Sequence, residues 1–237
     1  MSASHFAEPA PDDVILRRTM VDRQIRTFDV TDHAVIAQFL EVPRERFLPA
    51  ELAPFAYSDM ALKLAPAGRE SEARLLLPPA VLARLIQAAA VKPSDKVLDI
   101  ASATGYSTAI VAGIAQEVVA LEADPLRSGA IKANLASIGI SSVRVLTGPL
   151  ADGAPSEAPF DVIFVNGAVE SHLDVLLQQL RSGGRLLTIA RWTAGPDRGA
   201  SHAVRFENQS GCISCCLLFD AQAPILAEFH KEAEFVF

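Results

Sequence analysis

The sequence predicts an α/β fold built on a mostly parallel sheet, and three observations carry that prediction. Short apolar runs alternate with segments rich in Ala and Leu, which is the pattern of strands joined by crossover helices. A turn of small residues follows the apolar run at residues 97–100 and leads into a helical segment near Ser107. Two final runs flank residues 208–211, whose Asn and Gly favour a tight antiparallel hairpin. The predicted strands are residues 96–100, 118–121, 142–146, 161–165, 185–189, 203–207 and 212–219.

Glycine and proline pairs separate some of these runs. Gly183-Gly184 predicts a helix end and a turn before the fifth strand, and Gly148-Pro149 predicts a turn after the third. Loose segments are predicted at residues 1–12, 65–73 and 192–200.

Residues 13–50 predict helices ahead of the sheet. A second helix follows Thr31, which we predict as its N-cap. These helices either cover the mouth of a ligand site or only cover one face of the sheet. We therefore divide the chain into an N-terminal helical and substrate-loop segment, residues 13–80, and a core, residues 81–237. The apolar positions at helical spacing in the first helix are Val14, Ile15, Met20, Val21 and Ile25.

Composition restricts the class of protein. With 237 residues, 50% of them hydrophobic and 21% charged, the chain suits one large domain with a short accessory segment. A formal net charge of −7 without any Lys/Arg cluster argues against a nucleic-acid partner. The most apolar stretch, residues 75–91, is interrupted by prolines and polar residues, so no membrane span is expected. The first residues lack the features of a secretory signal, and we expect a soluble cytoplasmic protein.

Cys212, Cys215 and Cys216 form a C-x-x-C motif with one further cysteine. A closed zinc site needs four ligands, and there is no second C-x-x-C in the chain. The run around these cysteines reads as a buried strand, since free cysteine behaves as a small hydrophobic residue. We expect no metal site.

The turn after the first core strand indicates a bound cofactor. Small residues let the backbone approach a ligand closely, and the following helix start offers free N–H groups. A dinucleotide fingerprint would need its third glycine at Tyr106. The G-x-G-x-G spacing of S-adenosylmethionine (SAM) methyltransferases fits better, and here it reads A-x-A-x-G from Ala101 to Gly105. An ordinary tight turn without a ligand is the alternative.

Glu122 strengthens the cofactor interpretation. It ends the second predicted strand, 23 residues after Asp99, where an acid of a βαβ unit holds a ribose diol. The alternative is a solvated acid at a strand end, because the nearby Asp124 is equally acidic.

Several motifs of the chain resemble those of the protein-L-isoaspartate O-methyltransferase family. Residues 20–32 (MVDRQIRTFDVTD) and 56–59 (AYSD) are similar to that family. Residues 42–49 read V-P-R-E-x-F-x-P, the part that generic methyltransferases lack. The core strands and the cofactor turn agree as well, and the resemblance covers roughly residues 14–190.

The resemblance implies a Rossmann-like, SAM-dependent methyltransferase fold with a seven-stranded sheet. It also implies SAM as the cofactor, a peptide or protein carboxylate as the methyl acceptor, and a role in protein repair. Methyl transfer to a carboxylate needs orientation and desolvation more than a general base, so no catalytic residue is assigned. The cofactor-binding candidates are Asp99, Ala101, Ser102, Ala103, Thr104, Gly105, Tyr106, Glu122, Leu150 and Asn166.

The substrate loop departs from the family pattern. The family has a G-x-T-x-S-x-P loop whose hydroxyl groups meet the substrate carboxylate. Here Leu76 or Leu77 stands at the serine position, and neither side chain donates a hydrogen bond. Arg69 and Arg74 are candidates for binding a carboxylate instead, and solvated loop arginines are the alternative.

The cofactor contacts depart as well. Pro149 replaces an acid of the family's G-D-G sequence, and Ala101 and Ala103 replace glycines. If either alanine needs a positive φ, we expect SAM affinity to fall by ~1–3 kcal/mol. Two hypotheses follow: a carboxyl O-methyltransferase with an altered substrate loop, or a catalytically weak or inactive relative that serves as a cofactor-binding or protein-interaction module. The oligomeric state stays open.

Overall fold

The computed structural model describes residues 11–64, 74–192 and 199–231. The α-helices are α1 (Pro11–Met20), α2 (His33–Glu41), α3 (Pro79–Ala89), α4 (Tyr106–Ala112), α5 (Pro125–Ser137) and α6 (Asp174–Gln178). The strands are β1 (Leu62–Leu64), β2 (Arg74–Leu76), β3 (Lys96–Ile100), β4 (Glu117–Glu122), β5 (Arg144–Thr147), β6 (Phe160–Val169), β7 (Leu180–Arg191), β8 (Ser201–Gln209) and β9 (Cys212–Asp220). A π-helical turn spans Val21–Ile25, and 3₁₀ turns span Arg26–Phe28, Arg44–Phe47, Ala53–Phe55 and Ala227–Phe229.

Within the described residues, the main sheet has seven strands in the order β5-β4-β3-β6-β7-β8-β9. The pairs from β5 to β7 are parallel, and β8 pairs antiparallel with both β7 and β9. The predicted mostly parallel sheet with a C-terminal hairpin is therefore confirmed. Strands β1 and β2 form a separate antiparallel pair. Because parallel strands end at one edge, the carboxyl ends of β4, β3 and β6 lie side by side, where open α/β sheets bind ligands.

The two faces of the sheet carry two hydrophobic clusters. One contains Val97, Ala120 and Phe164 together with the buried residues of the N-terminal segment, α3 and α4. The other contains Leu98, Val119 and neighbouring residues of the opposite face. Residues 13–64 therefore pack on the face that carries Val97 and, two residues further along β3, Asp99.

The start of α2 corrects one prediction. Asp32, not Thr31, is the N-cap, and its Oδ1 accepts hydrogen bonds from the backbone N–H groups of Ala34 at 2.8 Å and Val35 at 3.1 Å. The backbone N–H groups of Thr31 and Asp32 both donate to the side-chain oxygen of Gln87. These two hydrogen bonds to α3 hold Thr31 and Asp32 outside α2, so α2 begins one residue later than predicted.

The first predicted helix is only partly in the core. Met20, Val21 and Ile25 are buried, whereas Val14 and Ile15 are exposed. The segments predicted to be loose at residues 1–12, 65–73 and 192–200 lie mainly outside the described residues. Within them, residues 11 and 12 begin α1 instead.

The Gly183-Gly184 pair was predicted wrongly as a helix end and turn. Helix α6 ends earlier, and both glycines lie inside β7, where its register against β6 shifts. Gly183 has a φ of +80°. A Cβ on Gly184 would lie 2.9 Å from the carbonyl oxygen of Arg181 and 3.0 Å from that of Phe160. The glycines therefore accommodate an irregularity within the strand.

The hairpin between β8 and β9 follows the prediction, but the burial of β9 does not. Ser210 and Gly211 have φ values of 54° and 95° and join the paired residues at the two strand ends, as a two-residue turn requires. Cys212, Cys215 and Cys216 are all exposed. The expected buried strand was wrong because β9 is the edge strand of the sheet.

The structure describes residues 11–64, 74–192 and 199–231. Nowhere among them do three His, Cys, Asp or Glu side chains converge as a metal site would require. None of their helices has the length and apolarity needed to cross a membrane.

Candidate active site

The turn after β3 has an alternating left-handed backbone. Ala101, Ala103 and Gly105 have φ values of 58°, 59° and 94°. Both alanines thus occupy the conformation in which glycine is preferred, at ~1–2 kcal/mol of strain for each L-residue. Non-glycine residues held in this region often mark ligand-binding turns. We expected a loss of SAM affinity if either alanine needs a positive φ, and both Ala101 and Ala103 have one.

Glu122 lies directly beside this turn. Its carboxylate is fully buried and accepts hydrogen bonds from the backbone N–H groups of Ala103 at 2.9 Å and Ala123 at 3.1 Å. The Nε atom of Arg74 lies 3.5 Å from Oε2. Burial raises the pKa of Glu122, and Arg74 and the backbone donors oppose that rise. The alternative of a solvated surface acid is wrong, because the side chain is inaccessible to solvent.

Asp99 forms the floor of the site. Its Oδ2 accepts from Ser107 Oγ at 2.8 Å and Thr108 Oγ1 at 2.6 Å, and its Oδ1 accepts from Asn166 Nδ2 at 2.6 Å. Burial raises the pKa of Asp99 to about 6, although the three hydrogen bonds oppose the rise.

Asp99 pairs with Ala120 in the sheet, so it lies on the same face as Glu122, two residues further along β4. Both buried acids therefore face the same side of the sheet.

Sequence reasoning missed Ser107 and Thr108. Both are buried in the first turn of α4 and donate to the same carboxylate oxygen. Two adjacent hydroxyl residues directly after a cofactor turn are a usable signal, since a buried strand acid needs donors from the helix that follows.

Two hydroxyl groups of the turn lack a hydrogen-bond partner among the described residues. They belong to Ser102 and Thr104, and both oxygen atoms are buried. Buried polar groups are almost always hydrogen-bonded, so these atoms indicate that a ligand completes the site. The residues present therefore fit a polar cofactor at this turn.

Arg44, from the V-P-R-E motif, is a third residue that sequence reasoning did not place at the site. It is fully buried, its Nη2 donates to the carbonyl oxygen of Leu77 at 2.8 Å, and its guanidinium lies 4.7 Å from the centre of the Tyr106 ring. Burial lowers the pKa of Arg44. Phe39 and Phe47 contact the same ring edge to face. The motif therefore joins the N-terminal segment to the start of α4 and to the end of the substrate loop.

A comparison with known families decides the identity of this architecture. Residues 17–192 match the family model described as protein-L-isoaspartate(D-aspartate) O-methyltransferase. The chain belongs to this family. The protein-L-isoaspartate O-methyltransferase of Koribacter versatilis is 33% identical over 206 residues, which are 87% of this chain and 88% of that one. The enzyme of the same name from Methanoculleus marisnigri is 34% identical over 219 residues, 92% of this chain and 94% of that one.

Two solved structures support the fold. A protein-L-isoaspartate O-methyltransferase superposes with a TM-score of 0.77 at 24% identity, over 89% of this chain and 66% of that chain. A Plasmodium falciparum structure described as a protein-L-isoaspartate O-methyltransferase in complex with S-adenosyl-L-homocysteine has a TM-score of 0.72 at 17% identity, over 91% of this chain and 98% of that chain. At these identities, the likeness supports the seven-stranded methyltransferase fold.

The predicted substrate loop divides its side chains between the hydrophobic core and the site. The side chains of Leu76 and Leu77 belong to the larger hydrophobic cluster and are 4% and 2% exposed. Arg74 and Leu75 instead line a cavity of about 70 Å³ with Asn166, opposite residues 224–227. Arg69 lies outside the described residues. The loop thus presents a guanidinium group to the site, and the leucines pack behind it.

The Gly148-Pro149-Leu150 segment follows β5 and lies beside the backbone of Glu122. The backbone N–H of Gly148 donates to the carbonyl oxygen of Glu122 at 3.0 Å. Leu150 is buried in the cluster on the opposite face of the sheet. Pro149 offers neither a carboxylate nor a backbone N–H at the position of the family's acid.

A larger cavity, of about 420 Å³, lies on the other side of the turn. Ala103 and Thr104 form one wall, residues 47–49, 51 and 52 together with β1 form another, and α5 forms a third side of this open cavity. This volume is in the range of small-molecule sites. The N-terminal segment therefore forms a wall of a ligand-sized cavity and does more than cover the sheet.

Proposed function

We propose that this chain is a SAM-dependent carboxyl O-methyltransferase of the isoaspartate type, acting on a peptide or protein carboxylate. The observation that carries the proposal is the buried carboxylate of Glu122. It lies at the carboxyl end of β4, held by the backbone N–H of Ala103 and next to a turn with unpartnered hydroxyl groups. Carboxylates in this position hold the ribose diol of nucleotide cofactors in βαβ units.

Each part of the turn has a role in holding SAM. Glu122 accepts hydrogen bonds from the ribose hydroxyls, and Ser102 and Thr104 supply hydroxyl partners to the polar end of the cofactor. Asn166 is held in place by Asp99, and it follows Val165, the last residue of β6 that pairs with β3. When bound, SAM would supply an electrophilic methyl group on a sulfonium centre, with the neutral thioether S-adenosyl-L-homocysteine as the leaving group.

Orientation and exclusion of water are the contributions of the protein. A carboxylate acceptor is already anionic at neutral pH, so no side chain has to remove a proton. Both oxygens of Asp99 accept hydrogen bonds from protein donors, which suits a structural anchor and not a proton acceptor. The N-terminal segment packs over this face of the sheet and limits access of water to it.

A second candidate function is a relative that binds SAM without effective turnover. Leu76 and Leu77 favour it, because both side chains are buried in the hydrophobic cluster and neither carries a hydroxyl group that could donate to the substrate. The strained alanines of the cofactor turn point in the same direction. The predictions of a cytoplasmic location and of no nucleic-acid partner stay predictions, and the second rests on the net charge of −7 without a Lys/Arg cluster.

Calorimetry with S-adenosyl-L-homocysteine tests the cofactor site. We expect Glu122→Gln to weaken binding by about 10- to 100-fold, since hydrogen bonds to a charged group contribute ~1.5–3 kcal/mol. Asp124→Asn is the matched control, because Asp124 lies two residues away and asparagine still caps α5. Equal affinities for the parent and the Glu122→Gln variant would show that Glu122 does not hold the ribose.

Transfer of labelled methyl groups from SAM to an isoaspartyl peptide separates the two candidate functions. Turnover that needs the isoaspartyl carboxylate supports the enzyme. Tight cofactor binding without transfer supports the binding module.

A further inference from the structure

Arg74 extends across the cofactor cleft. Strand β2 packs against β6, and Arg74 lines the small cavity with Asn166 of β6. Its Nε atom nevertheless lies 3.5 Å from Glu122 of β4. Since β3 lies between β4 and β6, the Arg74 side chain passes over the carboxyl end of β3 and its turn. This is the place that a cofactor held by Glu122 has to occupy.

The guanidinium of Arg74 is incompletely satisfied. Its side chain is only 11% exposed, and its Nε is buried without a hydrogen bond. No hydrogen bond joins it to any residue in the described ranges; the contact with Glu122 is an ion pair. A guanidinium has five N–H donors, and leaving buried donors unmade costs free energy. Beyond its ion pair with Glu122, Arg74 therefore has N–H donors with which it can bind a further acceptor.

The guanidinium of Arg74 and the ribose of a cofactor held by Glu122 would compete for the same carboxylate, because Arg74 Nε lies 3.5 Å from Glu122 Oε2. Ribose hydroxyls that bind Glu122 must therefore displace the guanidinium. Once displaced, Arg74 remains next to Asn166 as a buried cation in need of an anion.

We propose that Arg74 exchanges partners when the cofactor binds: it leaves Glu122 and binds a carboxylate at the mouth of the cleft. The proposal rests on the proposed function, because it requires a ribose at Glu122. A carboxylate fits since it accepts two parallel hydrogen bonds from a guanidinium. It also needs a cation there, because Asp99 and Glu122 are both buried acids of this site. The carboxylate comes either from the amino-acid end of SAM or from the methyl acceptor.

The test compares two ligands that share the thioadenosine part. S-Adenosyl-L-homocysteine carries the amino-acid carboxylate, whereas 5′-methylthioadenosine does not. Dissociation constants of both are measured by calorimetry for the parent and for Arg74→Met, which keeps an unbranched apolar chain without the charge. Arg181→Met is the control, because Arg181 is a half-exposed arginine paired with Asp161 away from the cleft.

If the cofactor supplies the carboxylate, Arg74→Met weakens S-adenosyl-L-homocysteine by at least about tenfold. Methylthioadenosine then binds at least as tightly as to the parent, since no guanidinium competes for Glu122. If the acceptor supplies the carboxylate, the preference between the two ligands is unchanged. In that case KM for an isoaspartyl peptide rises by at least about tenfold at similar kcat.

The proposal is overturned if Arg74→Met changes neither the preference for S-adenosyl-L-homocysteine over 5′-methylthioadenosine nor the KM for the isoaspartyl peptide. If the parent has no peptide turnover, an unchanged ligand preference alone overturns it. A parent protein that binds neither ligand contradicts the proposed function itself, so the two failures are distinguishable.

Discussion

Replacing Ala103 by glycine measures the strain stored in the cofactor turn. Ala103 has a φ of 59° and is 2% exposed, so its methyl group is buried in a backbone conformation that favours glycine. Three contributions decide the change in the free energy of unfolding. Relief of the left-handed conformation stabilises by ~1–2 kcal/mol, loss of the buried methyl group costs ~0.8, and the added freedom of the unfolded chain costs ~0.4–1. The sum lies within about 1 kcal/mol of zero.

Ala109→Gly is the matched control. Ala109 is fully buried in α4, so its replacement removes a methyl group of equal size. No positive φ is relieved there, and glycine in a helix interior costs ~1 kcal/mol beside the ~0.8 of the lost methyl group. We expect the Ala109→Gly variant to lose about 2 kcal/mol while the Ala103→Gly variant loses almost nothing.

Urea unfolding of the parent and both variants measures this difference. The slopes should agree, so that the midpoints report stability alone. The reasoning fails if Ala103→Gly destabilises the protein as much as Ala109→Gly. That result would show that the turn stores no strain at Ala103.

Two further predictions concern the buried acid and the start of α2. Burial raises the pKa of Asp99 to about 6 from its usual 3.8, so the folded state binds this proton more tightly than the unfolded state. The contribution of Asp99 to the free energy of unfolding is therefore complete below pH 4 and is lost as the pH rises to 6, by an amount on the order of 3 kcal/mol. Urea unfolding at pH 4.5 and at pH 7 should show a smaller decline of this free energy for Asp99→Asn than for the parent. Equal declines would contradict burial of Asp99 as the cause. Asp32→Ala should lower the free energy of unfolding by about 1 kcal/mol through loss of the N-cap, whereas Thr31→Ala should change it by less than about 0.5. Equal effects of these two changes would contradict the observed helix start.

Local patterns were sufficient for the framework of the site. The apolar run of β3, the small residues after it and the acid at the end of β4 depend on residues close in sequence, and their spacing reflects the βαβ connection itself. The sequence thereby determined the parallel sheet, the cofactor turn and the place of Glu122. It also predicted the hairpin from residues 208–211, since a two-residue turn depends on its own residues alone.

Contacts between distant residues decided the rest. The sequence of β9 is as apolar as that of a buried strand, and only its position at the sheet edge exposes Cys212, Cys215 and Cys216. The side chain of Gln87, more than fifty residues away, selects Asp32 over Thr31 as the cap of α2.

The site shows the same division. From its own residues, the sequence determined that an α/β sheet carries a small-residue turn and an acid after neighbouring strands, because those features are set by local propensity and by hydrophobic periodicity. Only the tertiary structure decided that Ala101 and Ala103 have a positive φ and that Arg74 faces Glu122. A backbone angle in a turn and an ion pair between separate elements both depend on how the layers pack, which no local pattern encodes.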